Sequence, residues 1–139
     1  MGTISFNNQN INPHLKDRLL LKTFLAIIFV EEKVAFKSVN YIFCTDEYLL
    51  VLNQEYLKHD TLTDILTFSY SDPFLPIISE IYISVERVRE NADLHKVFYQ
   101  NELHRVMIHG ILHLCGYNDS NLKQKADIRA REDFYLARL

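Results

Sequence analysis

The stretch His109-Gly110-Ile111-Leu112-His113-Leu114-Cys115-Gly116-Tyr117-Asn118-Asp119 sets how the rest of this chain is read. It closes a run, Asn101 to Leu114, with helical periodicity. Leu103, Val106, Met107, Ile111 and Leu114 fall on one broad apolar face, and no proline interrupts them. Residues four apart on a helix point the same way, one turn above the other. His109 and His113 can therefore offer two ring nitrogens to one ion, at the roughly 2.0–2.1 Å of a zinc–imidazole bond. Gly116 stands where a helix ends in a left-handed turn, which glycine adopts without steric cost. Such a turn sends the chain back toward the histidines, so Asp119 can supply a third ligand from outside the helix. Three protein ligands with one position open is a catalytic pattern, because structural zinc sites are usually closed by four. A histidine pair at this spacing also occurs on plain helix surfaces. The glycine and the carboxylate at matching offsets are what single this segment out. His14, His59, His95 and His104 lack such partners and read as surface or capping residues.

The layout is similar to the extended zincin motif His-Glu-x-x-His-x-x-Gly-x-x-His, with two differences. Gly110 stands where the protease has its general-base glutamate, and Asp119 where it has a third histidine. The segment resembles the signature His-Gly-x-Leu-His-Leu-x-Gly-Tyr-Asp-His of the YbeY family of bacterial endoribonucleases, with Asn118 and Asp119 in place of the final Asp-His. Two more segments carry the resemblance. Leu52-Asn53-x-Glu55-Tyr56, then Asp60, then Thr63-Asp64-Ile65-Leu66-Thr67-Phe68 is similar to Leu-Asn-x-x-Tyr-Arg-x-x-Asp-x-Pro-Thr-Asp-Val-Leu-Ser-Phe. Ser79-Glu80-Ile81-Tyr82-Ile83-Ser84 is similar to Gly-Asp-Ile-x-Ile-Ser. The departures are Leu57 for an arginine, Leu62 for a proline, and Ser79-Glu80 for Gly-Asp. Lys58 and His59 are the cations nearest the missing arginine, and lysine lacks its bidentate fork.

The resemblance implies a zincin-like arrangement with the metal helix under the sheet. It also implies a zinc-dependent, single-strand-specific endoribonuclease acting in ribosomal RNA maturation and ribosome quality control. Its partners would be single-stranded or ribosomal RNA, the small ribosomal subunit and assembly factors. Asp64 and Glu80, whose segments match family motifs, are the carboxylates it offers for proton transfer, since no base lies inside the histidine motif.

At 139 residues, 48% of them hydrophobic and only three each glycine and proline, the chain suits one packed domain over residues 1–139. Two cysteines, Cys44 and Cys115, make no disulfide framework and point to the reducing cytoplasm. Cys115, two after His113, falls on another side of the helix and reads as a buried structural thiol. The longest apolar run, Leu19 to Val30, is broken by Lys22 and Thr23 and is too short to span a bilayer. A net charge of −3 argues against coating nucleic acid by bulk charge. Arg87, Arg89, Lys96 and Arg105 cluster ahead of the metal helix and mostly read as a solvated face. Arg105, one turn before His109, points along the ligand face and is a candidate catalytic residue.

A short strand is expected at Ile4–Phe6. Asn12-Pro13 reads as a cap and first residue of a helix striped by Leu15, Leu19, Leu20, Phe24, Ile27 and Ile28. A strand at Val39–Cys44 precedes a helix capped by Thr45, with Asp46 and Glu47 in its first turn, carrying Leu49, Leu50, Leu52, Asn53 and Tyr56. Strands at Ile65–Tyr70 and Ile77–Ile83 flank a turn at Ser71-Asp72-Pro73. Ser84 caps a helix with Val85, Val88 and Ala92. The metal helix follows, then a charged helix, Leu122 to Leu139, with Ile128, Phe134 and Leu136 inward. The order predicts an α+β fold, an α/β-type mixed sheet covered by helices.

The leading reading is zinc held by His109, His113 and Asp119, with one position open. A carboxylate third ligand leaves the site one unit less positive than a third histidine. The ion then acidifies water less, and the activity optimum is expected at higher pH than in a three-histidine site. The competing readings are a zincin-like metalloprotease, disfavoured by Gly110, a non-haem iron oxygenase built on two histidines and a carboxylate, and a non-enzymatic ribosome-assembly factor with a structural ion.

Overall fold

Period-2 alternation and helical stripes convert into nine elements among the residues that the computed structural model describes, 2–58 and 63–139. In order they are β1 (Thr3–Asn8), α1 (Arg18–Glu31), β2 (Phe36–Cys44), α2 (Asp46–Leu57), β3 (Ile65–Ser69), β4 (Ile77–Ser84), α3 (Val85–His95), α4 (Tyr99–Leu114) and α5 (Leu122–Leu136). His59, Asp60 and Leu62 lie outside the described residues. The strands form one sheet in the order β1-β2-β4-β3. β1, β2 and β4 run parallel, and β3 closes one edge antiparallel to β4. This is the mixed, helix-covered α+β sheet expected.

Alternation sorts the two faces. Phe36, Val39, Tyr41, Phe43, Ile81 and Ile83 point into the larger core, shared with Leu25, Ile28 and Phe29 of α1 and with Leu103, Met107, Ile108 and Ile111 of α4. A register shift between Phe36 and Ser38 re-phases β2, so that Phe36 and Val39 reach the same face despite their odd spacing. The opposite face carries a smaller cluster of Cys44, Leu49 and Leu66 with Tyr48, Leu52, Phe68 and Tyr82, roofed by α2. The expected caps form: Thr45 accepts from the Tyr48 N–H and Ser84 from the Arg87 N–H.

Two expectations fail. The first helix does not start at Asn12-Pro13, because the Asn12 side chain accepts from the His14 N–H, a local turn bond, and His14 then turns left-handed at φ 54°. The helix begins at Arg18, and its buried face is Leu21, Leu25, Ala26, Ile28 and Phe29. Leu19, Leu20 and Ile27 are exposed, whereas Ile28 is buried and Leu15 and Phe24 pack against the core, so half of the expected stripe faces inward. In α5, Phe134 is exposed and Tyr135 fully buried, with Glu132 buried beside it. Ile128 is buried as foreseen.

Candidate metal centre

The centre is built on α4, which lies close under the sheet because position 110 has no side chain. A Cβ there would meet Ile65 Cδ1 at 3.0 Å, Ile81 Cδ1 at 3.1 Å and Ile81 Cγ2 at 3.2 Å. From β2, the Tyr41 hydroxyl donates to the Met107 carbonyl at 2.8 Å and pins the middle of the helix. At the far end the Gly116 N–H donates to the His113 carbonyl and the Tyr117 N–H to the Leu112 carbonyl, each at 3.0 Å. Gly116 has φ 104°, the region that favours glycine, so the expected turn is present. The Tyr117 hydroxyl then donates to Glu32 Oε1 at 2.8 Å and ties the turn to the end of α1.

That turn brings Asp119 over the histidines. His109 Nε2 and His113 Nε2 are 2.9 Å apart, and Asp119 Oδ2 lies 3.5 Å from the first and 3.4 Å from the second. Donors in a tetrahedral shell at about 2.0–2.1 Å from an ion are separated by roughly 3.3 Å. The carboxylate spacings fit that shell, and two imidazoles with one carboxylate are a donor set for a borderline-soft divalent ion. His109, His113 and Asp119 are the group able to hold a metal among the described residues. Cys115 stands outside it. Burial, and then Glu32, push its thiol up to about 12, so it stays protonated.

Glu132 of α5, not anticipated from the sequence, completes the arrangement. Its Oε2 lies 2.5 Å from His109 Nδ1, and its Oε1 accepts from Arg105 Nη1 at 2.9 Å. Arg105 Nη2 continues to Asp133 Oδ1 at 2.6 Å. A carboxylate on Nδ1 fixes the tautomer that leaves Nε2 free to bind a metal. Burial disfavours the charged imidazole, but Glu132 outweighs it and holds the His109 pKa above its ordinary value. The signal for Glu132 was its place four after Ile128, on the same buried face of a helix that otherwise reads as solvated.

The other sequence candidates separate. Asp64 lines the clefts on both sides of the ligands. Burial raises its carboxyl pKa, with His109 nearby opposing. Arg105 lines one cleft, but its guanidinium is taken by Glu132 and Asp133. Glu80 is not brought to the site. Ile81 and Ile83 face α4, so alternation turns Glu80 to the opposite face, where it accepts from the Tyr70 and Tyr82 hydroxyls at 2.7 and 3.3 Å. His95 is exposed, as expected, and stands at the rim of the cleft 3.7 Å from Glu102. Arg87 is no plain solvated cation either, because it pairs with Asp46 at 2.9 Å.

The chain is similar to known proteins along most of its length. A family model described as Endoribonuclease YbeY matches residues 4–139. The chain is 44% identical over 135 residues to the Endoribonuclease YbeY of Cytophaga hutchinsonii, covering 97% of this chain and 94% of that protein. It is 46% identical over 132 residues to that of Flavobacterium psychrophilum, covering 94% and 91%. Its fold is similar to the solution structure of a Thermotoga maritima protein, with a TM-score of 0.66, 30% identity and coverage of 96% of this chain and 86% of that one.

Proposed function

The chain belongs to the endoribonuclease YbeY family, and from that premise we propose that it is a zinc-dependent, single-strand-specific endoribonuclease, one hydrolase domain over residues 1–139. Its work would be ribosomal RNA maturation and ribosome quality control in the cytoplasm, with the small ribosomal subunit and assembly factors as partners. Two free thiols suit that compartment, and no helix among the described residues is long and apolar enough to cross a membrane. The observation that carries the reading is the convergence of His109, His113 and Asp119 between two clefts, with Glu132 behind His109.

When bound, the ion supplies Lewis acidity toward a phosphoryl oxygen and lowers the pKa of water. The rest falls to side chains. Glu132 orients His109 and stabilises its ring orientation; Arg105, between Glu132 and Asp133, is a positioning residue. Asp64, with its raised pKa, faces the ligands from the end of β3 and is the group to accept a proton from the attacking oxygen. Gly110 argues against the protease reading in a second way: a glutamate there would be driven into Ile65 and Ile81.

The test is cleavage of single-stranded RNA by metal-loaded, chelated and His109→Ala protein, with elemental analysis of the purified protein. Cleavage that follows metal content and vanishes in the variant is expected. Cleavage indifferent to chelation and mutation would overturn the assignment, and iron in place of zinc would return the oxygenase reading.

A further inference from the structure

Five cationic side chains belong to α5 or follow it: Lys123, Lys125, Arg129, Arg131 and Arg138. Three are paired. Lys123 bonds Asp127 at 2.9 Å, Arg131 bonds Glu32 at 2.8 Å and Arg138 bonds Glu31 at 2.8 Å. The side chains of Lys125 and Arg129 have no ion pair, hydrogen bond or ring contact among the described residues, and of the five they are the two that line the roughly 360 Å³ cleft beside the cluster.

Their placement follows from helical spacing. Lys125, Ile128, Arg129 and Glu132 sit at i, i+3, i+4 and i+7, one stripe of α5. Ile128 and Glu132 are buried against α4, so the stripe faces the site, and Lys125 and Arg129 stand at its exposed margin. The cleft also holds Asp64, Glu102, Asp119 and Glu132. Glu132 is engaged by Arg105 and His109, and Asp119 by the ligand group. Glu102, on α4, lies 3.7 Å from His95, and Asp64 directly precedes β3, so on the α5 wall Lys125 and Arg129 are the uncommitted charges, and their sign selects an anion. One turn apart, about 6 Å along the axis, they suit successive links of an extended polyanion better than one small anion. The cleft on the other side of the cluster is lined by Thr63, Thr67 and Ser69 and has no lysine or arginine among the described residues.

We propose that Lys125 and Arg129 bind backbone phosphates of a single-stranded nucleic acid to one side of the metal centre, fixing where the strand crosses it. This rests on the nuclease reading but names contacts that can be tested without turnover.

The experiment compares metal-loaded wild type, Lys125→Gln/Arg129→Gln, and Lys33→Gln/Lys37→Gln, which removes two exposed charges outside the cleft. Fluorescence anisotropy of a labelled single-stranded oligodeoxynucleotide is followed from low to moderate salt, beside kcat and KM for RNA cleavage and metal content. A slope of log affinity against log salt shallower by about 1.4 is expected in the first variant only, at about 0.7 per lost phosphate contact. KM should rise several-fold with kcat and metal content kept. An unchanged slope and KM in that variant, or an equal change in the control, overturns the proposal while leaving cleavage intact. So does equally tight, Lys125- and Arg129-dependent binding of polyglutamate, which would make the stripe a site for acidic peptide. If wild type binds with the expected slope but cuts no RNA, the phosphate contacts stand and the nuclease reading falls.

Discussion

Glu132 has two carboxylate oxygens and divides them between His109 and Arg105. It is buried, so neither partner can be replaced by water at small cost. Glu132→Gln keeps the shape but has one carbonyl oxygen where the carboxylate had two. His109 Nδ1 or Arg105 must then lose its acceptor. Losing a partner of this kind typically weakens metal affinity about 10–100-fold. That loss is expected in a zinc competition titration, with the circular dichroism spectrum unchanged; unaltered affinity would remove Glu132 from the site. The cluster of His109, His113 and Asp119 was legible in sequence because the three lie within eleven residues of one another, on one helix and the turn that leaves it. Glu132 was not, because its partner is twenty-three residues away and only the packing of α5 on α4 joins them. Glu80 was misplaced because motif order was followed where strand alternation, visible in Ile81 and Ile83, pointed the other way.

At the scale of elements, the contact of α4 with the sheet is set at Gly110. Alanine there gains about 1 kcal/mol in helix propensity. Its methyl group would press on Ile81 Cγ2, which a β-branched side chain in a strand cannot swing aside. Overpacking costs typically about 1–3 kcal/mol, so Gly110→Ala should lower the urea midpoint at unchanged m-value. A second junction is Glu32, at the end of α1, which accepts from Tyr117, Arg131 and Tyr135. Burial would raise its pKa, but those donors outweigh it and the carboxyl is held below its ordinary value. A depressed pKa contributes stability present above the unfolded-state value near 4.5 and lost as pH falls through the folded one. Thermal melts from pH 7 down to pH 3 should thus show a steeper fall for wild type than for Glu32→Gln. Parallel curves would mean that the donors do not favour the charged form. The late start of α1 belongs here too: an Asn-Pro pair signals a cap from sequence, but Asn12 closed a local turn instead, a competition that propensity does not resolve.

For the whole molecule, ligands from α4 and from its exit turn mean that an ion bound to the folded chain finds no such group in the unfolded one. Zinc at a hundredfold over its dissociation constant should add about 2.7 kcal/mol. For a chain of this size that is a rise of about 10 °C in Tm. His113→Ala should abolish the shift; a shift of the same size in that variant would move the site elsewhere. The element order and helix count were readable in advance, since strand runs and capped helices carry local signals; the order of the strands within the sheet was not. The open edge of β3 beside the ligands and the paired or unpaired state of each α5 cation were not, because both depend on what lies across the fold. The turn after α4 has a further consequence. Two donors ride on a rigid helix, but the third sits beyond Gly116, held through the Tyr117 hydroxyl on Glu32. Two backbone bonds, from Gly116 and Tyr117, and the Tyr117 hydroxyl on Glu32 hold that turn, so the placing of the third donor rests on α1 and the turn, which the two helix donors do not need.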